Sequence, residues 1–177
     1  MILGVDSAIA TCGYAVVDPR TKVVVALGVV QTERDATIAK STDRARRVRQ
    51  VVAELGRIAT EYAVTTIAAE AMLLFGNVAA ATAQSLCWGA LVALAELRGL
   101  ELREVVARDW QHAVLPGSKK ISYPKLEAAL ARFVGARLLA IPKTLQTHAL
   151  DAVGVGVYAA LRGARVITKG AAAACEP

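Results

Sequence analysis

Aromatic side chains are scarce: two Trp, four Tyr and two Phe in 177 residues. So few rings do not furnish a platform on which unpaired bases stack. Cysteine is scarce too. Cys12, Cys87 and Cys175 are odd in number, far apart and without a CxxC pair. That argues against a disulfide scaffold or a thiolate zinc site and points to a reducing compartment. The first residues are not expected to be a secretory leader: Met1-Ile2-Leu3-Gly4-Val5-Asp6 has no basic n-region and meets a carboxylate after a short apolar run. No internal repeat and no linker divides the chain. Residues 1–162 therefore read as a single domain, and 163–177, with an Ala171–Ala174 run, as a disordered tail.

What is present is a real core and an excess of positive charge. Hydrophobic residues make up 55% and charged residues 20%, which excludes a disordered segment or a solvated rod. Twenty-one Lys and Arg against fifteen Asp and Glu give +6. Such a balance suits a polyanionic partner, although solubility alone would account for it. The excess is concentrated. Glu33–Arg57 holds seven bases against four acids, and Arg103–Lys143 holds eight against three. Gly117-Ser118-Lys119-Lys120 has the makings of a flexible loop that grips phosphates without reading bases. An ordinary solvated loop has the same composition.

Between Glu70 and Glu96 there is no charge at all. Gly76, Asn77, Thr82, Gln84 and Ser85, among many alanines, favour a buried helix over a membrane span. Asn77 is a fitting N-cap, and Gly99 ends the helix after Arg98. Residues 78–95 have no polar face, so the helix must be covered on all sides. In so small a chain one face can lie on a sheet, and the other is expected to meet a second subunit, giving a homodimer through helix 77–98.

Apolar runs at 2–5, 11–17, 22–30, 64–69 and 101–106 read as strands. Asp18-Pro19-Arg20-Thr21 turns the second into the third. Helices are expected at 37–62, 77–98, 125–134 and 145–161. Three meander strands followed by alternating helix and strand predict an α/β fold: a mixed five-stranded sheet with helices on both faces.

Three acids stand out against apolar surroundings. Asp6 follows Ile2-Leu3-Gly4-Val5, Glu70 follows Ile67-Ala68-Ala69, and Asp151 is the only charge between Lys143 and Arg162. Buried carboxylates need a partner or a cation. If Asp6 and Glu70 lie on neighbouring strands they converge, and Asp151 can join them from a packed helix. His148, three residues before Asp151, shares its helix face. Acids with one imidazole suit Mg²⁺ or Mn²⁺. Two such ions about 4 Å apart can activate a water and stabilise the leaving oxygen of a phosphodiester. Taken singly, an acid at a strand end is more often a turn or cap residue, and a lone His more often a surface or core residue.

Ile2-Leu3-Gly4-Val5-Asp6, Gly13-Tyr14-Ala15-Val16-Val17-Asp18, Ile67-Ala68-Ala69-Glu70 and His148-Ala149-Leu150-Asp151-Ala152 together resemble the RuvC family. These are Holliday-junction resolving endonucleases with an RNase H-like fold. The resemblance spans residues 2–161. Each motif is short, and their order and spacing carry the match. It implies that Asp6, Glu70, His148 and Asp151 bind two divalent ions, Mg²⁺ with Mn²⁺ able to substitute, and catalyse the cut. His148 is a variant within the family pattern, which often has Asp there. The resemblance further implies paired nicks in four-way DNA junctions, 5′-phosphate and 3′-hydroxyl ends, and action in the cytoplasm of a bacterium or a phage-infected host.

Departures mark a divergent, phage-like branch. Ser7-Ala8 stands where many members have Pro-Gly. The aromatic wedge that follows the family's Glu is replaced by Leu73, with Phe75 two residues on. One family Lys falls at Gln111, near Arg108, whereas Lys125 matches the second. Arg108, Gln111, Lys119, Lys120, Lys125, Leu73 and Phe75 are thus the expected DNA contacts. Three other readings stay open. One is a related nuclease acting on another branched or hybrid substrate. Another is a non-catalytic nucleic-acid-binding domain. The third is a sugar-kinase or actin-like ATPase, for which the chain is too short and Ala8 stands in place of a glycine.

Overall fold

A computed structural model describes residues 1–71, 78–118, 121–162 and 165–168. The chain forms β1 (Ile2–Asp6), β2 (Thr11–Val17), β3 (Val24–Gln31), α1 (Lys40–Glu61), β4 (Thr66–Glu70), α2 (Val78–Arg98), β5 (Glu101–Val105), α3 (Ala107–Val114), α4 (Tyr123–Val134), α5 (Gln146–Arg162) and β6 (Arg165–Thr168), with short 3-10 turns before α5. The sheet runs β3-β2-β1-β4-β5-β6. β1 pairs antiparallel with β2 and parallel with β4, so it sits at the junction of the meander and the parallel half. The turn after β2 forms as its sequence dictates: the Asp18 carboxylate accepts the backbone N–H of Arg20 at 2.8 Å.

Strand parity divides the core in two. Leu3, Val5, Cys12, Val16, Ile67 and Ala69 face one way and pack with Val51, Leu55, Ile58 of α1 and Leu91, Leu94, Ala95 of α2. Ile2, Ala15, Val17 and Ala68 face the other way and meet Ala149, Ala152, Val153 and Val157 of α5, together with Trp110 of α3 and Leu126, Leu130 of α4. β1 and β4 are central strands buried on both faces, so their apolar runs are nearly continuous. Gly99, with φ of 62°, takes the left-handed conformation that ends α2.

The mixed sheet with helices on both faces matches the expectation from sequence, with three differences. The sheet has six strands, not five: Arg165–Thr168, expected as part of a tail, pairs antiparallel with β5. Val166 and Ile167 are β-branched, and the run is short because it forms an edge. α3 was not expected; one turn separates its two buried residues, Trp110 and Val114, too little periodicity to register. α2 is not covered on all sides. Cys87, Leu91, Leu94 and Ala95 are buried, whereas Val78, Leu86 and Leu97 are exposed, Leu97 by 85%. By length and composition α2 is the one helix among the described residues that could cross a membrane; here its buried face is part of the core beside α1. The expected N-cap Asn77 lies outside the described residues.

Candidate active site

Asp6 ends β1 and Glu70 ends β4. The two strands are parallel, with Val5 beside Ala69, so the next residue on each brings the two carboxylates to neighbouring positions at the same sheet end. Parity decides the face. Leu3 and Val5 point to the α1–α2 side, so Asp6 points to the α5 side; Ala68 points that way as well, and Glu70 follows it. Two glycines let α5 come close. A methyl group at Gly13, which pairs with Asp6 across the β1–β2 ladder, would overlap the backbone carbonyl of His148. One at Gly4 would overlap the carbonyl of Ala152 and lie 2.7 Å from the Gly156 nitrogen. The first turns of α5 are thus pressed against the sheet beside Asp6.

His148 Nδ1 lies 2.7 Å from Asp6 Oδ2. This hydrogen bond is the main reason that the imidazole's pKa is raised, with the field of Asp6 and Asp151 adding to it and burial opposing it. Glu70 is raised to about 7, first by burial and then by the negative fields of Asp6 and Asp151. Asp151 is raised to about 6, again first by burial; a hydrogen bond from Tyr123 and the proximity of His148 work against the rise, and Asp6 adds to it. Tyr123 Oη donates to Asp151 Oδ2 at 2.7 Å. The three carboxylates feel one another, and the folded chain leaves their repulsion only partly compensated.

Among the described residues, no three His, Cys, Asp or Glu side chains are drawn together closely enough to hold an ion as they stand. Asp6 is engaged with His148 and Asp151 with Tyr123. The donor chemistry nonetheless fits a hard divalent cation. Oxygen donors predominate, among the described residues no Lys or Arg is paired with any of the three acids, and part of the rise in the Glu70 and Asp151 pKa values comes from negative charge that a cation would relieve.

Of the four residues expected from sequence, His148 is hydrogen-bonded to Asp6, and Glu70 and Asp151 lie within reach of the Asp6 charge. The expected DNA contacts divide. Arg108 and Lys125 are exposed and Gln111 is half-buried. Leu73, Phe75, Lys119 and Lys120 lie outside the described residues. Sequence reading missed Tyr123. A neutral phenol does not stand out in a charge pattern, and the residue it bonds is 28 positions away. It missed Gly4 and Gly13 too, since a glycine in a strand announces close approach only once the approaching helix is known.

A family model for the crossover junction endodeoxyribonuclease RuvC matches residues 2–159. The chain is similar to the crossover junction endodeoxyribonuclease RuvC of Pelodictyon phaeoclathratiforme, with 31% identity over 92% of this chain and 81% of that protein. A RuvC from Corynebacterium efficiens is 29% identical over 88% of this chain and 66% of its own. Among solved structures, RuvC of T. thermophilus in complex with a Holliday junction substrate superposes with a TM-score of 0.74 at 16% identity, covering 94% of this chain and 98% of that one. A yeast mitochondrial Holliday junction resolvase superposes at 0.53 with 12% identity, over 89% and 79% of the two chains. With the sheet order, the acids at adjacent strand ends and a family match over nearly the whole domain all in agreement, the chain belongs to the RuvC family.

Proposed function

We propose that the chain is a structure-selective endonuclease that resolves four-way DNA junctions with paired, metal-dependent nicks, leaving 5′-phosphate and 3′-hydroxyl ends. The observation that supports this reading is that Asp6 and Glu70 end adjacent parallel strands, where α5 brings His148 onto Asp6 and Asp151 within reach of both carboxylates' charges. Asp6, Glu70 and Asp151 are the ligands for divalent ions, Mg²⁺ or Mn²⁺, with His148 able to join them. When bound, the ions supply Lewis acidity to the scissile phosphate and lower the pKa of a water.

The chain's own groups do the rest. Asp6 fixes the His148 ring through Nδ1, which leaves Nε2 to accept a proton from the attacking water. The Asp6 bond raises the basicity of the ring and so favours that acceptance. Arg108, Lys125 and the basic loop that includes Lys119 and Lys120 grip phosphates, with Gln111 adding a neutral contact. Leu73 or Phe75 takes the place of the family's wedge.

A second copy completes the enzyme. Between α1 and α2 runs an apolar groove of about 810 Å³, lined by Val48, Val52, Leu86, Ala90 and Leu97 and flanked by Arg44. It lies on the opposite side of the sheet from the four site residues, none of which lines it. An exposed apolar helix face of this kind supports an isologous dimer, which would present two sites to the two strands of a near-symmetric junction. The place of action is the cytoplasm of a bacterium or of a phage-infected host.

The test uses labelled four-way, three-way, flap and linear DNA, with Mg²⁺ and with EDTA. Symmetric paired nicks in the four-way substrate alone, dependent on Mg²⁺, are expected. Asp6→Asn abolishes cleavage but keeps junction binding, because removing one negative charge does not weaken the hold on phosphates. Cleavage retained in that variant refutes the site.

A further inference from the structure

We propose that Tyr123 is a positioning residue for the metal site: its phenol, on the first turn of α4, holds one oxygen of Asp151 so that the other is left to ligate a divalent cation. This rests on the reading of Asp6, Glu70 and Asp151 as ligands.

The geometry is specific. Tyr123 Oη donates to Asp151 Oδ2 at 2.7 Å, bridging α4 and α5. Among the described residues it is the hydrogen-bond donor on that carboxylate. Asp151 needs such a partner. Its own helix leaves the side chain two free torsions, and the negative charge of Asp6 acts on it, so an untethered carboxylate would swing toward water. A Lys or Arg could tether it, but would also neutralise the cluster and compete with the cation. A phenol restrains without adding charge. Its anchor is firm: Pro124 follows at the start of the helix, where its fixed φ suits the first turn, and Leu126 and Leu130 of the same helix are buried. Tyr123 is 43% exposed, so it is not one of the buried core residues of α4. α4 also carries Lys125, two residues on, so one helix holds both a metal ligand's support and a phosphate contact.

Outer-sphere partners of metal ligands typically account for 10- to 100-fold in metal affinity or activity. The test compares wild type, Tyr123→Phe, Tyr123→Ala and Asp151→Asn as full chains. Mn²⁺ binding without DNA is measured by calorimetry, junction cleavage as a function of Mg²⁺, and junction binding in EDTA. Tyr123→Phe is expected to bind Mn²⁺ about tenfold more weakly. The Mg²⁺ concentration for half-maximal cleavage rises by the same factor, while cleavage at saturating Mg²⁺ and junction binding in EDTA stay within twofold of wild type. Tyr123→Ala weakens Mn²⁺ binding by the same factor as Tyr123→Phe; a much larger loss would assign the effect to the packing of the ring and overturn the proposal. Unchanged or tighter Mn²⁺ binding in Tyr123→Phe overturns it as well, provided Asp151→Asn loses the ion. If Asp151→Asn also binds Mn²⁺ like wild type, it is the ligand reading itself that fails.

Discussion

Glu70 is a carboxylate whose surroundings favour the proton. Burial and the fields of Asp6 and Asp151 lift its pKa from an ordinary 4.5 to about 7. A group raised in the folded state contributes stability that is fully present below its unfolded pKa and is lost as pH rises through the folded value. For Glu70 that window runs from about 4.5 to 7. Asp151, raised from 3.8 to about 6, acts in the same direction slightly lower. His148, raised through its bond to Asp6, adds a loss above its ordinary 6.5. In EDTA, the melting temperature is therefore expected to fall as pH goes from 5 to 8. The fall should be shallower in Glu70→Gln, which has no charge to acquire, and should flatten in wild type when Mn²⁺ is added. Parallel curves for the two proteins, with and without the ion, would show that Glu70 does not carry the strain assigned to it. The acids were legible in the sequence because a charge inside an apolar run is conspicuous. The phenol that holds Asp151 was not, because Tyr123 carries no charge and lies 28 positions away, and the direct bond between His148 and Asp6, across 142 residues, is made only by packing.

At the scale of elements, the seat of α5 on β1 and β2 places His148 and Asp151. Helix and strands were each visible from periodicity, and the i, i+3 spacing already put His148 and Asp151 on one face. Their distance from the sheet was not visible, and it depends on two absent side chains. Propensity alone predicts that Gly13→Ala stabilises a strand by roughly 0.5–1 kcal/mol. Packing predicts the opposite sign: the new methyl would overlap the His148 carbonyl, a backbone atom that cannot rotate away, and overpacking typically costs about 1–3 kcal/mol. Packing wins, since α5 must be displaced by a substantial fraction of a methyl diameter. Gly13→Ala is expected to lower the melting temperature. It should also reduce cleavage at saturating Mg²⁺ by tenfold or more, because the displaced turn carries His148. A variant as stable and as active as wild type would mean that α5 has slack against β2. The same dependence on context explains α3 and β6. Eight and four residues are too few for a periodic signal, and each is held by its neighbour: Trp110 against Gly154, and β6 along β5.

For the whole molecule, the unresolved mismatch is the apolar surface of α2. A monomer leaves Val78, Leu86 and Leu97 exposed next to a groove of about 810 Å³. A large exposed apolar patch on one face is the usual sign of an interface. Placing a charge there should be costly to assembly and nearly neutral to the fold, because Leu97 touches solvent and not core. Leu97→Glu combined with Leu86→Arg is expected to convert a dimer to a monomer in analytical ultracentrifugation, with little change in secondary structure. On junctions the monomer would cut one strand where the dimer cuts two. If the wild-type chain sediments as a monomer at micromolar concentration, the second-subunit reading of this face is wrong. The absence of a polar face was plain from the sequence. Which residues of the helix stay uncovered was set by the way α1 and the sheet cover the other side.

By itself the sequence determined the class of fold, the strands that alternate with helices, the sign and placement of charge, and the identity of the acids. These are local properties, written in periods of two and 3.6 residues and in the cost of a charge among apolar neighbours. Tertiary structure decided what local patterns cannot encode. The β1–β4 register put Asp6 beside Glu70. The two glycines let α5 bring His148 to within 2.7 Å of Asp6. α4 delivered a phenol to Asp151, and a short C-terminal segment became the sixth strand. Each of these depends on the separation of groups far apart along the chain, and that distance is fixed only when the whole core packs.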